Sequence, residues 1–552
     1  MKSRNEIKFF TTVLLLSLFI MANSCQVTDD SVDTIQGPDL TNPDDDPDTD
    51  PVFENLQCTP QIEQSDYSIY KIGSNGRRIG DLMPIYDDAS NKFYIYYLKD
   101  IWNDNSNQRH PWYTLSTTDF SSYDEISSEI ISSSSAVCDQ DFAIGSGSVF
   151  VKDNIYYGFY TGHNPNFPSN CVNIKEGIML ATSTNPEAGF TKNSTFTTIY
   201  APTGMQFDEQ DNFRDPYVFE DAGTYYMLVS ARANVGGVFK GVIASYISTD
   251  LLSWTYDDIF YDGDNSTYFM METAQVFKMG SMYYLIFSDI DSRKVLYRKS
   301  SSATGPWEQP TSSEFLDGND FYAAKAVSNG TDAFMMGWTA RTENNLDSGV
   351  KTWGGNLVAH KLTQDSNDDL MLSIPDAISS GMQTEIALEL NREIGTFEKT
   401  DANEESYNLS SSTNNDVSAV FYEPIDAPRY LISTTVSYSQ SNRDFGFFLG
   451  ACDENDNVIS LRFVPSENKI RLDKTTRSSL SSSTISDNET SFTLEPNVDY
   501  DVKMVVENSI VVIYINNQVA LTSRVYKAPN TSWGVFADNS SVSFKTIKVT
   551  KP

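Results

Sequence analysis

One hydrophobic pattern recurs five times along the middle of the chain. Each copy has a turn, two adjacent bulky residues and further apolar residues, and none shows helical periodicity. Each copy therefore predicts a β-strand entered from a turn. The five segments are Asn91–Tyr97, Asn154–Tyr160, Gly223–Leu228, Ser281–Phe287 and Asp332–Trp338. Imperfect repeats with room for about four strands each predict a five-bladed β-propeller over residues 61–385.

A further strand is predicted before each aromatic segment. These strands are Asp81–Tyr86, Ser146–Phe150, Asp215–Phe219, Glu272–Phe277 and Phe321–Ala324. In a propeller the first strand of each blade lines the central channel, so the residues that begin these strands should converge at one mouth of it. Three of them are the acids Asp81, Asp215 and Glu272. We expect these acids at equivalent repeat positions in one small space, an arrangement that costs stability unless function requires it.

A second β-rich region follows the predicted propeller. Short apolar runs separated by polar turns predict a β-sandwich over 404–552, and the stretch 388–403 is interpreted as a linker. Val502–Val506 and Ser509–Ile515 are clear strand candidates within it. The predicted fold class is therefore all-β, a five-bladed propeller followed by a sandwich.

The first sixty residues have the pattern of an export signal and a spacer. Three basic residues precede the apolar run Phe9–Ala22, and the segment Ala22–Cys25 resembles the lipobox of bacterial lipoproteins. This resemblance implies a signal peptide over 1–25 that ends at a lipidated Cys25; an ordinary signal peptide with a chance Cys is the alternative. Residues 26–54 hold ten acidic residues and no Lys or Arg, so 26–60 is predicted to be a disordered tether. The expected location is the outer membrane, with a lipid anchor as the only membrane contact and the chain facing the cell exterior.

Charge and composition exclude several classes of function. With 39 Lys+Arg against 75 Asp+Glu, the net charge of −36 opposes binding to nucleic acids but leaves neutral glycans open. The chain has three His, and neither an HExxH motif nor a nucleotide-binding glycine loop is evident, so no metal or cofactor is predicted. Two carboxylates that flank a glycosidic bond are sufficient to hydrolyse it.

The cysteines add one structural prediction. Apart from Cys25, the chain has Cys58, Cys138, Cys171 and Cys452, for which three pairings are open. Cys138 and Cys171 flank one predicted hairpin region, so they are the favoured pair.

Six short motifs carry a family resemblance. Phe213–Pro216 looks like the RDP motif of glycoside hydrolase family 32, and Ile79–Pro84 occupies the place of that family's WMNDPNG block. The remaining four motifs are Ser146–Ser148 for SGS, Met271–Thr273 for EC, Phe321–Ala324 for FYA and Met336–Trp338 for GW. They occur in the family's order, and the resemblance covers roughly residues 70–380. The chain thus resembles a divergent family 32 enzyme carried as a bacterial surface lipoprotein.

The resemblance implies a role for each matching position. Asp81 resembles the nucleophile, Glu272 the general acid/base and Asp215 the transition-state stabiliser. Arg214 resembles the residue that positions the sugar and the acids. Further candidate substrate-binding residues are Ser146, His110, Trp112 and Trp338. His110 and Trp112 follow an insertion-like loop, residues 99–109, and are expected to line its rim; a capping His and a buried aromatic residue are the alternative. One departure is that Gly80 stands where the family has an Asn before the nucleophile.

The function implied is a retaining glycosidase of β-fructosides, such as levan, inulin or sucrose-type fructans. A non-catalytic surface glycan-binding protein on a propeller scaffold is one alternative. A propeller glycosidase for arabinose- or xylose-containing glycans is the other. An oligo- or polysaccharide is the expected partner, and glycan-uptake proteins at the cell surface are further candidates.

Overall fold

A computed structural model describes residues 67–100, 109–451, 457–480 and 485–552. The predicted signal peptide, Cys25 and the whole acidic tether lie outside the described residues, as do Cys58 and Cys452. Within these ranges the structure has no helix long and apolar enough to cross a membrane.

Five blades of four consecutive antiparallel strands form the propeller, as predicted, and the pairing of Ile79 with Gly355 joins blades one and five into one eight-stranded sheet. Blade one has β1 (Ile79–Asp87), β2 (Lys92–Lys99), β3 (Trp112–Thr117) and β4 (Asp124–Ile131). Blade two has β5 (Ala143–Lys152), β6 (Ile155–His163), β7 (Glu176–Ser183) and β8 (Thr191–Lys192). Blade three has β9 (Phe213–Asp221), β10 (Thr224–Val235), β11 (Val238–Ser248) and β12 (Thr255–Tyr261). Blade four has β13 (Met271–Met279), β14 (Met282–Asp289), β15 (Lys294–Ser300) and β16 (Phe315–Leu316). Blade five has β17 (Tyr322–Ser328), β18 (Ala333–Thr342), β19 (Lys351–Gln364) and β20 (Leu370–Ser373).

The first strand of every blade carries a β-bulge at a corresponding place. The antiparallel register with the second strand shifts between Gly80 and Met83 in blade one, and comparable shifts occur in the other four blades. The bulge spans residues 81–82, 145–146, 215–216, 273–274 and 323–324. Bulges re-aim side chains and concentrate next to active sites. The shared bulge is therefore the backbone device that turns these positions toward a common space.

The bulge also corrects one expectation. Asp81 and Asp215 lie inside their bulges with φ of +38° and +62°, and the equivalent residue of blade four is Thr273 at +52°. Glu272 is the residue before it. The prediction that all three acids share one repeat position is therefore wrong by one residue for Glu272, which pairs with Ser288 directly before the bulge rather than lying inside it.

The C-terminal region is a β-sandwich built around two long bent strands. Its strands are β21 (Thr384–Ile386), β22 (Leu390–Ile394), β23 (Thr396–Lys399), β24 (Tyr407–Ser410), β25 (Val417–Tyr422), β26 (Arg429–Ala451), β27 (Ile459–Val464), β28 (Lys469–Asp473), β29 (Asn488–Ser491), β30 (Tyr500–Glu507), β31 (Ile510–Ile515), β32 (Val519–Arg524) and β33 (Ser532–Lys551). Strand β26 pairs with β30 through its first half, with β27 through its second half, and with β33 along its length. Register shifts between β26 and β33 let both strands pass from one sheet to the other.

Residues 388–403, predicted as a linker, contain β22 and β23 instead. Strand β22 pairs with β25, and β23 pairs with β24, so both belong to the sandwich sheet system. The side chains of this stretch are largely exposed, which is why its hydrophobic pattern resembles that of a linker. Between the propeller and these strands lies α1 (Asp376–Gly381); short 3₁₀ turns occur at Ser74–Gly76, Glu343–Asn345, Pro465–Glu467 and Arg477–Ser479.

The propeller and the sandwich share a buried polar contact. Asp317, after β16, accepts hydrogen bonds from the backbone N–H of Thr522, at 2.7 Å, and from its hydroxyl. His360 of β19 lies 3.1 Å from the same carboxylate. Arg524 of β32 donates to the side chain of Asn356 at 2.6 Å. A single hydrophobic cluster also contains residues of both regions, so the sandwich holds blades four and five in place.

The favoured cysteine pairing is confirmed. Cys138 and Cys171 form a disulfide with Cα atoms 5.5 Å apart, and it links the segment before β5 to the segment before β7.

Candidate active site

Asp81 lies at the propeller mouth beside the indole of Trp338. One of its carboxylate oxygens accepts a hydrogen bond from Nε1 of Trp338 at 3.0 Å. Burial, reinforced by the charges of Asp215 and Glu272, raises the pKa of Asp81 to about 7. Trp338 and the cation of Lys325 act in the opposite direction. The electrostatic coupling shows that all three predicted acids lie close enough to influence one another.

Asp215 is buried and held by contacts to both oxygens. The hydroxyl of Ser146 donates to Oδ1, and the backbone N–H of Thr273 donates to Oδ2 at 3.0 Å. The N–H of Asp215 itself donates to the hydroxyl of Thr161 at 2.9 Å. Burial raises the pKa of Asp215, and the charge of Glu272 acts in the same direction. A carboxylate with both oxygens engaged is suited to act as a fixed negative charge rather than as an attacking group.

Glu272 is oriented by donors on both oxygens. Arg214 donates to Oε1 through Nε at 3.0 Å and Nη2 at 2.6 Å, while the hydroxyl of Tyr322 donates to Oε2 at 2.5 Å. Burial and the neighbouring charge of Glu272 raise the pKa of Tyr322 well above its usual range, so this phenol stays a donor. These contacts fix the orientation of the Glu272 carboxyl group.

Arg214 joins Glu272 to a second, buried acid that sequence reasoning missed. Its Nη1 lies 3.3 Å from Oε2 of Glu176, which also accepts the backbone N–H of Phe213 at 2.8 Å. Burial pushes the pKa of Glu176 upward, but Arg214 and His163 pull it far below its ordinary range. Glu176 is therefore a permanent anion that fixes the Arg214 fork.

Lys325 is the second residue that the sequence did not single out. It is fully buried, donates to the backbone carbonyl of Gly147 at 2.6 Å, and faces Asp215 and Asp81. Burial lowers the pKa of Lys325 to about 8, and the two acids oppose this effect. It lies directly after Ala323-Ala324 on the first strand of blade five, and this register is the signal in the sequence that places it at the channel.

Trp338 and Tyr322 form one aromatic corner of the site. Their rings meet edge to face at 5.5 Å. The guanidinium of Arg293 lies 5.1 Å from the Tyr322 ring centroid and 5.2 Å from that of Trp338. The rings that hold Glu272 and Asp81 are thus supported together by one cation.

The two rim candidates have different outcomes. His110 stacks on Trp353 with ring centroids 4.0 Å apart, and Trp353 in turn lies against Gly80. Trp112 is fully buried against Tyr96, and its Nε1 donates to the carbonyl of Gly145 at 3.0 Å. The rim prediction for Trp112 is wrong, because the indole packs in the core behind the bulge of blade two. No group of three or more His, Cys, Asp or Glu in the described ranges could hold a metal ion.

Comparison with known proteins identifies the family. The model of the glycosyl hydrolases family 32 N-terminal domain matches residues 84–374, and that of the family 32 C-terminal domain matches residues 389–551. The chain belongs to glycosyl hydrolase family 32. Both predicted domains are thus family 32 domains, and the resemblance drawn from the six motifs is confirmed.

Individual relatives are distant. Sucrose-6-phosphate hydrolase of Escherichia coli is 28% identical over 240 residues, which cover 41% of this chain and 48% of that protein. Raffinose invertase of the same organism is 26% identical over 226 residues, which cover 38% and 45%. The chain therefore spans about half the length of the curated relatives it matches.

Solved structures support the fold over nearly the whole chain. Fructan 1-exohydrolase IIa from Cichorium intybus superposes with a TM-score of 0.67 at 16% identity, covering 89% of this chain and 98% of that one. A beta-fructofuranosidase of Aspergillus kawachii gives 0.66 at 18% identity, covering 91% and 96%. At these identities the likeness concerns the propeller and sandwich architecture of family 32.

Proposed function

We propose that this family 32 protein is a retaining glycoside hydrolase that acts on β-fructosides of the levan, inulin or sucrose type. The observation that carries the proposal is the coupled carboxylate set of Asp81, Asp215 and Glu272 at the mouth of the propeller. Family membership and relatives named for sucrose-6-phosphate hydrolysis and raffinose inversion support the fructoside substrate.

The contacts support a two-step reaction. In the first step the Asp81 carboxylate attacks the anomeric carbon while Glu272 protonates the departing oxygen, which leaves a glycosyl ester on Asp81. In the second step Glu272 takes a proton from water, whose oxygen displaces Asp81 from the same carbon. Arg214 and Tyr322 hold Glu272 between the two steps.

Asp215 and Lys325 set the charge around the reacting carbon. Asp215 presents a negative charge fixed by Ser146 and the Thr273 N–H, which favours the positive charge that develops on the sugar. Lys325 neutralises part of the acid cluster, so that Asp81 can remain ionised near neutral pH.

Product analysis tests the proposal. Purified protein is incubated with levan, inulin and sucrose beside arabinan and xylan, and released sugars are quantified with an Asp81→Asn variant as control. Fructose release by the wild type alone supports the proposal. Release of arabinose or xylose without fructose, or tight fructan binding with no sugar released, would overturn it.

We also propose that the protein is exported and lipid-anchored at the outer cell surface. The basic residues, apolar run and Cys25 at the start of the chain support this location, as does the acidic tether that follows. Polymeric fructans are substrates that a cell must cut outside before uptake, so the location and the substrate class agree.

A further inference from the structure

An indole occupies the space beside the backbone of the nucleophile. A Cβ built on Gly80 would lie 2.2 Å from Cζ2 and 2.5 Å from Cη2 of Trp353. Such distances are far below van der Waals contact, so position 80 has room only for hydrogen while the indole stays in place. The ring of Trp338, which donates to Asp81, lies 6.2 Å from the ring of Trp353, so Trp353 borders the space around the nucleophile.

Neighbouring groups fix the position of this ring. The imidazole of His110 stacks on it at 4.0 Å with the planes 6° from parallel, and the ring of Trp338 lies 6.2 Å away. Burial, with a smaller contribution from His163, lowers the pKa of His110 to about 4, so the stack is uncharged at neutral pH. His110 and Trp353 together form a flat apolar pair, which is called the His110–Trp353 stack below.

The backbone after Trp353 is equally constrained. Gly354 has a φ of +70°, and a Cβ on Gly355 would lie 1.8 Å from the carbonyl oxygen of Thr339. Gly355 is also the residue that pairs with Ile79 and joins blade five to blade one. The backbone of β19 therefore fixes the position of Trp353 beside Gly80.

We propose that Trp353 determines specificity in this enzyme by forming an apolar wall of the sugar subsite next to Asp81. The indole occupies volume that a side chain at position 80 would fill, and it replaces the polar Asn of the family's nucleophile block with an aromatic surface. The wall takes the C–H-rich side of a furanosyl unit, which packs on an aromatic ring without needing a hydrogen-bond partner. This inference rests on the proposed function, since it concerns the sugar that Asp81 attacks.

The proposal makes Gly80 and Trp353 one coupled unit. A methyl group at position 80 must displace the indole, whereas removal of the indole takes away the three atoms nearest to that methyl group. The effects of the two substitutions should therefore be strongly non-additive.

A double-mutant cycle tests the wall. Gly80→Ala, Trp353→Ala, the double variant and Trp353→Phe are compared with the wild type for KM, kcat and thermal unfolding on the best fructoside. Trp307→Ala is the matched control, because this half-buried indole packs on Phe260 at the edge of blade four.

We expect KM to rise about tenfold or more in Trp353→Ala and in Gly80→Ala, with a smaller fall in kcat. When Gly80→Ala is added to Trp353→Ala, KM should change by less than about twofold further. Phe at position 353 should recover most of the affinity, and the control should keep the wild-type KM.

Two results would overturn the wall. One is a KM in Trp353→Ala within about twofold of the wild type. The other is a loss of kcat with a fall in melting temperature, no KM change and no recovery by Phe, which would mark a merely structural indole.

Binding separates this inference from the proposed function. If the wild type hydrolyses no fructoside, the proposed function fails, and fructose binding is then followed by calorimetry for the wild type and Trp353→Ala. Binding that depends on Trp353 would still support the wall. Equal binding by both proteins, or binding by neither, would overturn it.

Discussion

Trp338 of blade five donates a hydrogen bond from Nε1 to Oδ1 of Asp81 in the neighbouring blade one, at 3.0 Å. Because the indole donates only, this contact favours the ionised form of the carboxyl group. It therefore opposes the effect of burial, which raises the pKa of Asp81 to about 7.

Trp338→Phe should move the acidic limb of the activity profile to higher pH. Without the donor, the pKa of Asp81 rises further, and the ionised fraction needed for attack falls at any pH near or below 7. We expect the acidic limb of the kcat/KM profile to move up by about half a pH unit or more, so that the loss of activity is largest at low pH. The measurement is kcat/KM between pH 4.5 and 8.5. Trp254→Phe, whose indole bonds a carbonyl within its own turn, serves as control and should leave the limb unmoved.

Asp81→Asn should stabilise the fold at pH 8 while it abolishes turnover. The carboxyl group has a higher pKa folded than unfolded, so the folded state is penalised once both forms are ionised above about pH 7. That penalty disappears as the pH falls below the unfolded value. We expect a gain of about 1 kcal/mol or more in unfolding free energy at pH 8 and little gain at pH 4.

Asp87 provides the opposite control for that experiment. Its pKa is lowered despite the opposing effect of partial burial, because Ser90 and Tyr156 donate to the carboxylate. Asp87→Asn should therefore lower the melting temperature at pH 8, where the ionised form supports the folded state. If both variants were more stable than the wild type at pH 8, or if neither were, the raised pKa of Asp81 would not be a determinant of stability.

The propeller and most of the acid set could be predicted because their signals are local and repeated. Each blade has an aromatic segment and a preceding strand, so five weakly similar copies together are enough to predict the repeat. Asp81 and Asp215 were found through this register. The position of Glu272 one residue before its bulge could not be predicted, because a bulge depends on pairing with the next strand.

Other parts of the site depend on contacts between blades, which one sequence does not reveal. Trp353 lies far along the chain from Gly80, and nothing near either residue indicates that one fills the space of the other. Glu176 acts only through Arg214 of the next blade. The strands within residues 388–403 were missed for a related reason, since their side chains are exposed and their order comes from pairing.

Glu272→Gln should affect substrates according to their leaving group. An amide can still accept the Tyr322 or Arg214 bond but cannot supply a proton, so poor leaving groups lose the most. We expect a loss of about 10²–10⁴-fold on fructan and a much smaller loss on an aryl fructoside with an acidic phenol. Rates of phenol and fructose release measure this difference. Equal losses of activity on both substrates would show that Glu272 is not the general acid. Asp81→Asn is the comparison and should lose activity on both substrates.

Cys25→Ala should release the protein from the membrane fraction. The proposed lipid on Cys25 is the anchor, and a single substitution removes its attachment point. Fractionation of cells that express each form, followed by detection in membrane and soluble pools, measures the outcome. Cys58→Ala is the control and should stay with the membrane. Unchanged membrane association of Cys25→Ala would contradict the anchor.

Lys325→Met should reduce activity at low and neutral pH more than at alkaline pH. The Lys325 cation lowers the pKa of Asp81, so its removal leaves less ionised nucleophile below about pH 7. The wild-type Lys has a pKa of about 8 and itself loses charge above that value, so the two proteins should converge there in relative activity. Met also leaves the Gly147 carbonyl without its donor, at a cost of about 1–3 kcal/mol in stability.

A charge-conserving variant and a distant lysine separate these two effects. Lys325→Arg should restore the acidic limb at least in part, because the cation is kept. Lys299→Met removes a buried lysine that bonds Asp369 at 2.7 Å outside the site, so it should lower the melting temperature without moving the limb. The measurements are kcat/KM against pH and thermal unfolding for all three variants. A uniform loss across the pH range in Lys325→Met, equal to that of Lys299→Met, would show that Lys325 supports only the fold. A shifted limb confined to Lys325→Met would show that its charge keeps Asp81 ready to attack.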